Sequence, residues 1–162
     1  MAPGLNRVYL ATVVLLMLLA PVASIAVETG VGTALNGWDL AAKWFAFWAA
    51  GIRLLAAGIR QTLQPAFTAR TIFGMADASA YPLVREIGMA NVSMGLLGVA
   101  SLWMPGWRLA AALVACAYFG LAAAGHLVRR PQTSNEAIAL VSDVFIFIVF
   151  AAILLHAILH QA

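Results

Sequence analysis

The chain is short of charge. Only 9% of its 162 residues are Asp, Glu, Lys or Arg, against 64% hydrophobic. Water-soluble domains carry about 25% charged residues, so this composition lacks the polar material to face water on all sides. Cysteine is nearly absent. The lone Cys116 excludes an intrachain disulfide and a CxxC redox pair, and in its apolar run it reads as a small packing residue. No basic cluster interleaved with aromatics occurs, which sets nucleic acid aside as a partner. A Ser–His–Asp arrangement, a phosphate loop and an HExxH pattern are also missing, so no residue is nominated as catalytic. His156 and His160 stand one helical turn apart, with only Gln161 and Ala162 beyond them. A zinc site usually takes three or four protein ligands. No metal ligand set is therefore read, and the pair is expected at an interface.

Long apolar runs are what the sequence has in abundance. Five stretches meet or approach the length of about 20 residues that a bilayer-spanning helix needs. They are residues 8–27, 40–62, 82–103, 107–127 and 136–159. The expected fold class is all-α, a polytopic transmembrane helical bundle in one domain over residues 1–162. The lipid bilayer is then its first partner. Glu28-Thr-Gly-Val-Gly reads as a flexible polar break, and Pro105-Gly106 as a tight turn. Pro82 falls where a first-turn proline is tolerated. Thr133-Ser-Asn-Glu136 has capping-box spacing, so a hydroxyl and a carboxylate can satisfy the first amides of the last helix. Residues 64–80 are mixed, with room for a short interfacial helix around Phe67–Phe73.

Charge and tryptophan assign the two sides. With the N-terminus inside, the inner side holds Arg7, Arg60, Arg70, Arg85, Arg129 and Arg130, and the outer side only Lys43 and Arg108. That asymmetry obeys the positive-inside rule. Trp38, Trp44, Trp103 and Trp107 then fall at the outer interface, with Trp48 just below it, as an aromatic belt. Five spans, N-in and C-out, follow. The first segment admits a second reading. Arg7, the apolar run from Val8 to Ala20, Pro21 and Ser24-Ile-Ala26 also fit a cleavable secretory signal.

Arg53 stands inside an otherwise apolar run, Trp44–Ile59. A guanidinium at that depth costs at least about 2.5–3.5 kcal/mol unless the bundle compensates it. At 1.5 Å per residue Arg53 lies about 12 Å from the inner end of its segment, and Asp143 roughly 10 Å from the inner end of the fifth. Opposite charges at one level can pair if their helices face. Asn91 lies at a similar depth, about 13 Å into the third segment. Glu86 and His126 lie nearer the inner interface, beside Arg60 and Gln61. Arg53, Glu86, Asn91, His126 and Asp143 are therefore the candidate lining of an inner-side polar pocket. The alternative is a structural set in which Arg53–Asp143 is a buried ion pair and Asn91 bridges helices. Gly88, Gly95 and Gly98 share a face of the third segment with Asn91, a seam of small residues that admits a close neighbouring backbone.

These residues carry a resemblance. Gly51-Ile-Arg-Leu-Leu-Ala-Ala-Gly-Ile-Arg-Gln resembles the first helix of DoxX-like membrane proteins, and Arg85-Glu-Ile-Gly-Met-Ala-Asn-Val-Ser-Met-Gly-Leu-Leu-Gly their second. Gly125-His126 and Ser142-Asp143 add to the likeness, which covers residues 44–155. It implies a four-helix core with the first segment as an N-terminal addition, in a bacterial inner membrane. Some relatives are associated with quinone-linked oxidation or redox complexes. The expected function is a binding or accessory role, with the pocket holding a small lipophilic or quinone-like ligand. Proton-linked transport of a small solute and a structural subunit of a membrane redox complex are the alternatives. The implied partner is another membrane protein or a second copy of the chain. No internal repeat or interrupted helix pair favours transport.

Overall fold

The computed structural model describes residues 4–160. Residues 1–3 and 161–162, the ends of the domain read from the sequence, lie outside the described residues. Five helices are long and apolar enough to cross a membrane: α1 (Arg7–Val31), α2 (Gly37–Leu63), α4 (Ala78–Ala100), α5 (Pro105–Arg129) and α6 (Ser134–His160). A short helix, α3, runs over Pro65–Phe67 and continues as a wider turn over Thr68–Ile72. The expected interfacial helix near Phe67 thus begins two residues earlier, at Pro65. No strand occurs among the described residues.

Side chains mark where these helices begin. Asn6 Oδ1 accepts from the Tyr9 amide, Asn36 Oδ1 from the Trp38 and Asp39 amides, Asp77 from the Ser79 amide, and Thr133 Oγ1 from the Glu136 amide. Each supplies an acceptor to a first-turn N–H that has no intrahelical partner. The break expected at Glu28 is not one. α1 runs through it to Val31 and stops at Gly32, whose φ of 88° suits a residue without Cβ. Glu28 stays helical because it has work there. Its carboxylate accepts from Lys43 Nζ at 2.8 Å and Trp44 Nε1 at 2.7 Å, joining α1 to α2. The third segment ends at Ala100, short of Trp103, because Ser101–Trp103 already turn toward Pro105.

Two wide π turns shape α1 and α2. In α1, Leu15–Leu19 widens so that the Ala20 N–H bonds Leu15 O. Pro21 follows at once, and its ring would otherwise press on the carbonyl of Met17. In α2 the turn Ala46–Ile52 ends with the Arg53 N–H on Trp48 O. An added residue rotates everything beyond it by about 100° relative to what precedes, which re-aims Arg53.

The core joins Val13 and Met17 of α1, Phe45 and Leu54 of α2, Phe119 of α5, and Ile146 and Phe150 of α6. This revises the expected division into a four-helix core plus an added first helix, since α1 enters the core and α4 packs mainly onto α2. Alanines such as Ala46, Ala49, Ala112 and Ala115, all fully buried, let the backbones approach. The α2–α4 contact is closer still. A Cβ on Gly98 would meet Gly51 N at 2.5 Å, one on Gly95 Leu55 N at 2.6 Å, and one on Gly58 Gly88 O at 2.5 Å. The seam expected on α4 therefore lies against Gly51 and Gly58 of α2. Replacing Gly98 by Val forces the backbones apart, an overpacking cost of about 1–3 kcal/mol. Thermal unfolding in mild detergent should show a melting temperature lowered by several degrees for Gly98→Val. Gly106→Ala, where nothing lies within 4 Å of the added carbon, should melt like the parent.

Candidate ligand cavity

The bundle has two chemically different ends. At one, Trp38 stacks on His156 with ring centroids 4.6 Å apart, His156 lies 4.0 Å from His160, and Trp48 Nε1 donates to Ser24 Oγ. At the other, where α1 begins and α2 ends, the helices part around a cavity of about 450 Å³, neither sealed nor flat. α1, α2, α4, α5 and α6 all line it, and α3 lines it with Phe67, Thr68 and Ile72.

Four of the five candidate residues reach this cavity: Arg53, Asn91, His126 and Asp143. Glu86 does not. It is exposed on α4, while Val84, Gly88 and Asn91 point inward. Two residues along a helix turn by about 200°, so Glu86 cannot share a face with Gly88. It is withdrawn as a pocket residue. The expected contact between Arg53 and Asp143 also takes another form. Both residues line the cavity, yet no ion pair closes between them among the described residues. Asp143 Oδ2 instead faces His126 Nε2 at 3.8 Å. Arg53 Nε is covered and has no hydrogen-bond partner, and the guanidinium lies 5.7 Å from the centre of the Tyr9 ring.

His126 is held from both sides. Its Nδ1 lies 3.1 Å from Glu136 Oε1, so an imidazole bridges two carboxylates. His126 and Asp143 keep 11% and 13% of their side-chain exposure, and Glu136 keeps none. Glu136 is the principal residue that sequence reasoning undervalued. It entered only as a cap, and its carboxylate does reach back, but to the Gln132 N–H at 2.8 Å. Its second task, orienting His126, becomes visible only because residues 130–133 fold α6 back beside α5. Arg129 stands 3.7 Å from the same carboxylate and donates to Phe73 O, whose ring stacks on His126 at 5.8 Å.

Asn135 was missed outright. Fully buried, it accepts from the Asn6 N–H at 2.8 Å and donates to Gly4 O and Thr71 O. One amide thus ties the start of α1 and the end of α3 to α6. Thr133 adds a second tie, donating to Ile72 O at 2.6 Å. Asn91, 2% exposed, donates Nδ2 to Gln61 Oε1 at 2.7 Å and so links α4 to α2. Tyr9 and Tyr118 also line the cavity and were not singled out beforehand.

The model of the Family of unknown function (DUF6790) matches residues 7–162. The chain belongs to that family. The DUF6790 match takes in the first helix, which the DoxX resemblance leaves outside. No curated protein matches the chain. No solved structure matches it either.

Removing the Asn135 amide leaves the Asn6 N–H and the Gly4 and Thr71 carbonyls without their partner, at about 1–3 kcal/mol for each group that water does not reach. Hydrogen exchange read by mass spectrometry should therefore accelerate in Asn135→Ala at residues 6–10 and 65–73. The α2–α4 seam should exchange as in the parent.

Proposed function

We propose that this chain is a multi-pass protein of a bacterial inner membrane that binds a small lipophilic ligand by its polar head. The site is the cavity at the cytoplasmic end, with the N-terminus inside and the C-terminus outside. The carrying observation is that Arg53, Asn91, His126 and Asp143 converge on one cavity whose other walls are apolar, including Leu54, Ile87 and Phe119. Ligand sites are commonly about 300–1,000 Å³, apolar with a few convergent polar groups, and this cavity fits that description. Intramembrane ionisable residues favour function over packing. A quinone-like head is one chemistry of suitable size, in line with the DoxX-like kinship that we keep as part of the proposal. The role is binding or accessory rather than catalytic, alone or beside another membrane subunit.

The first helix belongs to this reading as a retained element. Tyr9 and Thr12 form part of the cavity wall, and Asn6 is tied to Asn135. Cleavage after residue 26 would remove that wall.

A second reading, proton-linked transport, draws on the imidazole of His126 between two carboxylates. Histidine between acids is the chemistry of a proton path. Solute-driven acidification of proteoliposomes would favour transport over binding.

Native mass spectrometry of protein released from membranes should show a retained small molecule. Ala122→Trp fills the cavity without removing a charged group and should release the molecule while leaving the protein folded. A ligand that persists in Ala122→Trp, or a parent protein that carries nothing, counts against the cavity as the binding site.

A further inference from the structure

We infer that the ligand's head is anionic, a carboxylate or a phosphate monoester on an acyl or alkyl tail, seated against Arg53. The inference rests on the ligand-binding reading above and adds the sign of the charge.

Five formally charged groups line the cavity: Arg53, Arg60 and Arg129 against Glu136 and Asp143. With His126 neutral, one positive charge is left over. The partners show which buried arginine has no ion pair. Glu136 is taken by His126, by the Gln132 amide and by Arg129. Asp143 faces His126. Arg60 is exposed at the mouth, its guanidinium 3.4 Å over the Phe67 ring, where water solvates what the ring does not. Arg53 is different. It is half-buried in the apolar layer, its Nε is covered and unpartnered, and no ion pair reaches it among the described residues. The Tyr9 ring at 5.7 Å offers a cation–π face but no counter-charge.

A guanidinium so placed is completed best by a planar or tetrahedral oxyanion, which it can grip with two parallel N–H bonds. A free inorganic anion fits poorly, because Leu54, Phe67, Ile87 and Phe119 leave most of the wall apolar. An amphiphile answers both halves of the site. A neutral quinone would accept a hydrogen bond from Arg53 but leave the charge uncompensated. Asp143 then acts as an electrostatic brake, since its carboxylate shares the cavity with the incoming head.

The test is equilibrium binding of radiolabelled dodecanoate to purified full-length protein in neutral detergent. Unlabelled dodecanoate, dodecyl phosphate, dodecanol and decylubiquinone serve as competitors. Dodecanoate or dodecyl phosphate should compete at least tenfold better than dodecanol and decylubiquinone. Whichever of the two is stronger names the acidic group, and either order supports the inference. Arg53→Gln should weaken dodecanoate at least tenfold, and Asp143→Asn should tighten it several-fold, a gain that impaired folding does not produce. If Arg53→Gln does not purify, Asp143→Asn decides alone: tightening supports the inference, and unchanged or weaker binding overturns it. Dodecanol or decylubiquinone competing as well as dodecanoate would overturn the charge while leaving the cavity reading intact. Binding of none of the four overturns both.

Discussion

Hydrocarbon offers no hydrogen bonds, so a polar group within the apolar layer must be answered by protein or by something the protein binds. Glu136 shows how the chain meets that demand. Its carboxylate sits on the first turn of α6, where the helix dipole favours negative charge. It accepts from the Gln132 amide and fixes His126 through Nδ1. His126 in turn faces Asp143. One capping residue therefore orders an α5–α6 wall that carries both of the cavity's acids. Arg53, on the α2 wall, is left outside this arrangement.

The α2 wall is set by packing rather than by charge. Gly51 and Gly58 are seven residues apart and lie on one face against the α4 glycines. The wide turn at Ala46–Ile52 lets the first part of α2 present Phe45 to the core while the part beyond it presents Arg53 to the cavity. A regular helix would hold one phase along its whole length and could not serve both ends in the same way.

How much of this was legible in the sequence depends on the range of the signal. The five apolar runs are read from composition along the chain, and five helices of matching position are present. Depth is arithmetic on residue number, so Arg53, Asn91 and Asp143 could be set at one level. Azimuth is another matter. It failed for Glu86, which is exposed on α4 and is no part of the cavity lining. It also left the Arg53–Asp143 contact open, because a wide turn shifts phase without leaving a mark in hydropathy. Asn135 and the second task of Glu136 depend on contacts 129, 131, 64 and 10 residues apart, which no local spacing reveals. The helical Glu28 was misread for the same reason. Its partners Lys43 and Trp44 lie on the next helix.

Opposite charges across a low-dielectric gap attract, so the persistence of a cavity between Arg53 and Asp143 needs a reason. The restraint is mechanical on both sides. Asp143 is drawn toward His126, whose imidazole is anchored by a fully buried carboxylate that also caps its helix. Arg53 rides on a helix whose backbone is already in contact with α4 at Gly58 and Gly98, so α2 cannot swing toward α6 without opening that seam. The floor resists as well. α3 is fixed by the Asn135 and Thr133 bonds to Thr71 O and Ile72 O, which keeps Phe67 and Ile72 beneath the gap. The same elements that hold the walls apart keep the guanidinium clear of that carboxylate, the arrangement that the proposed ligand-binding role requires.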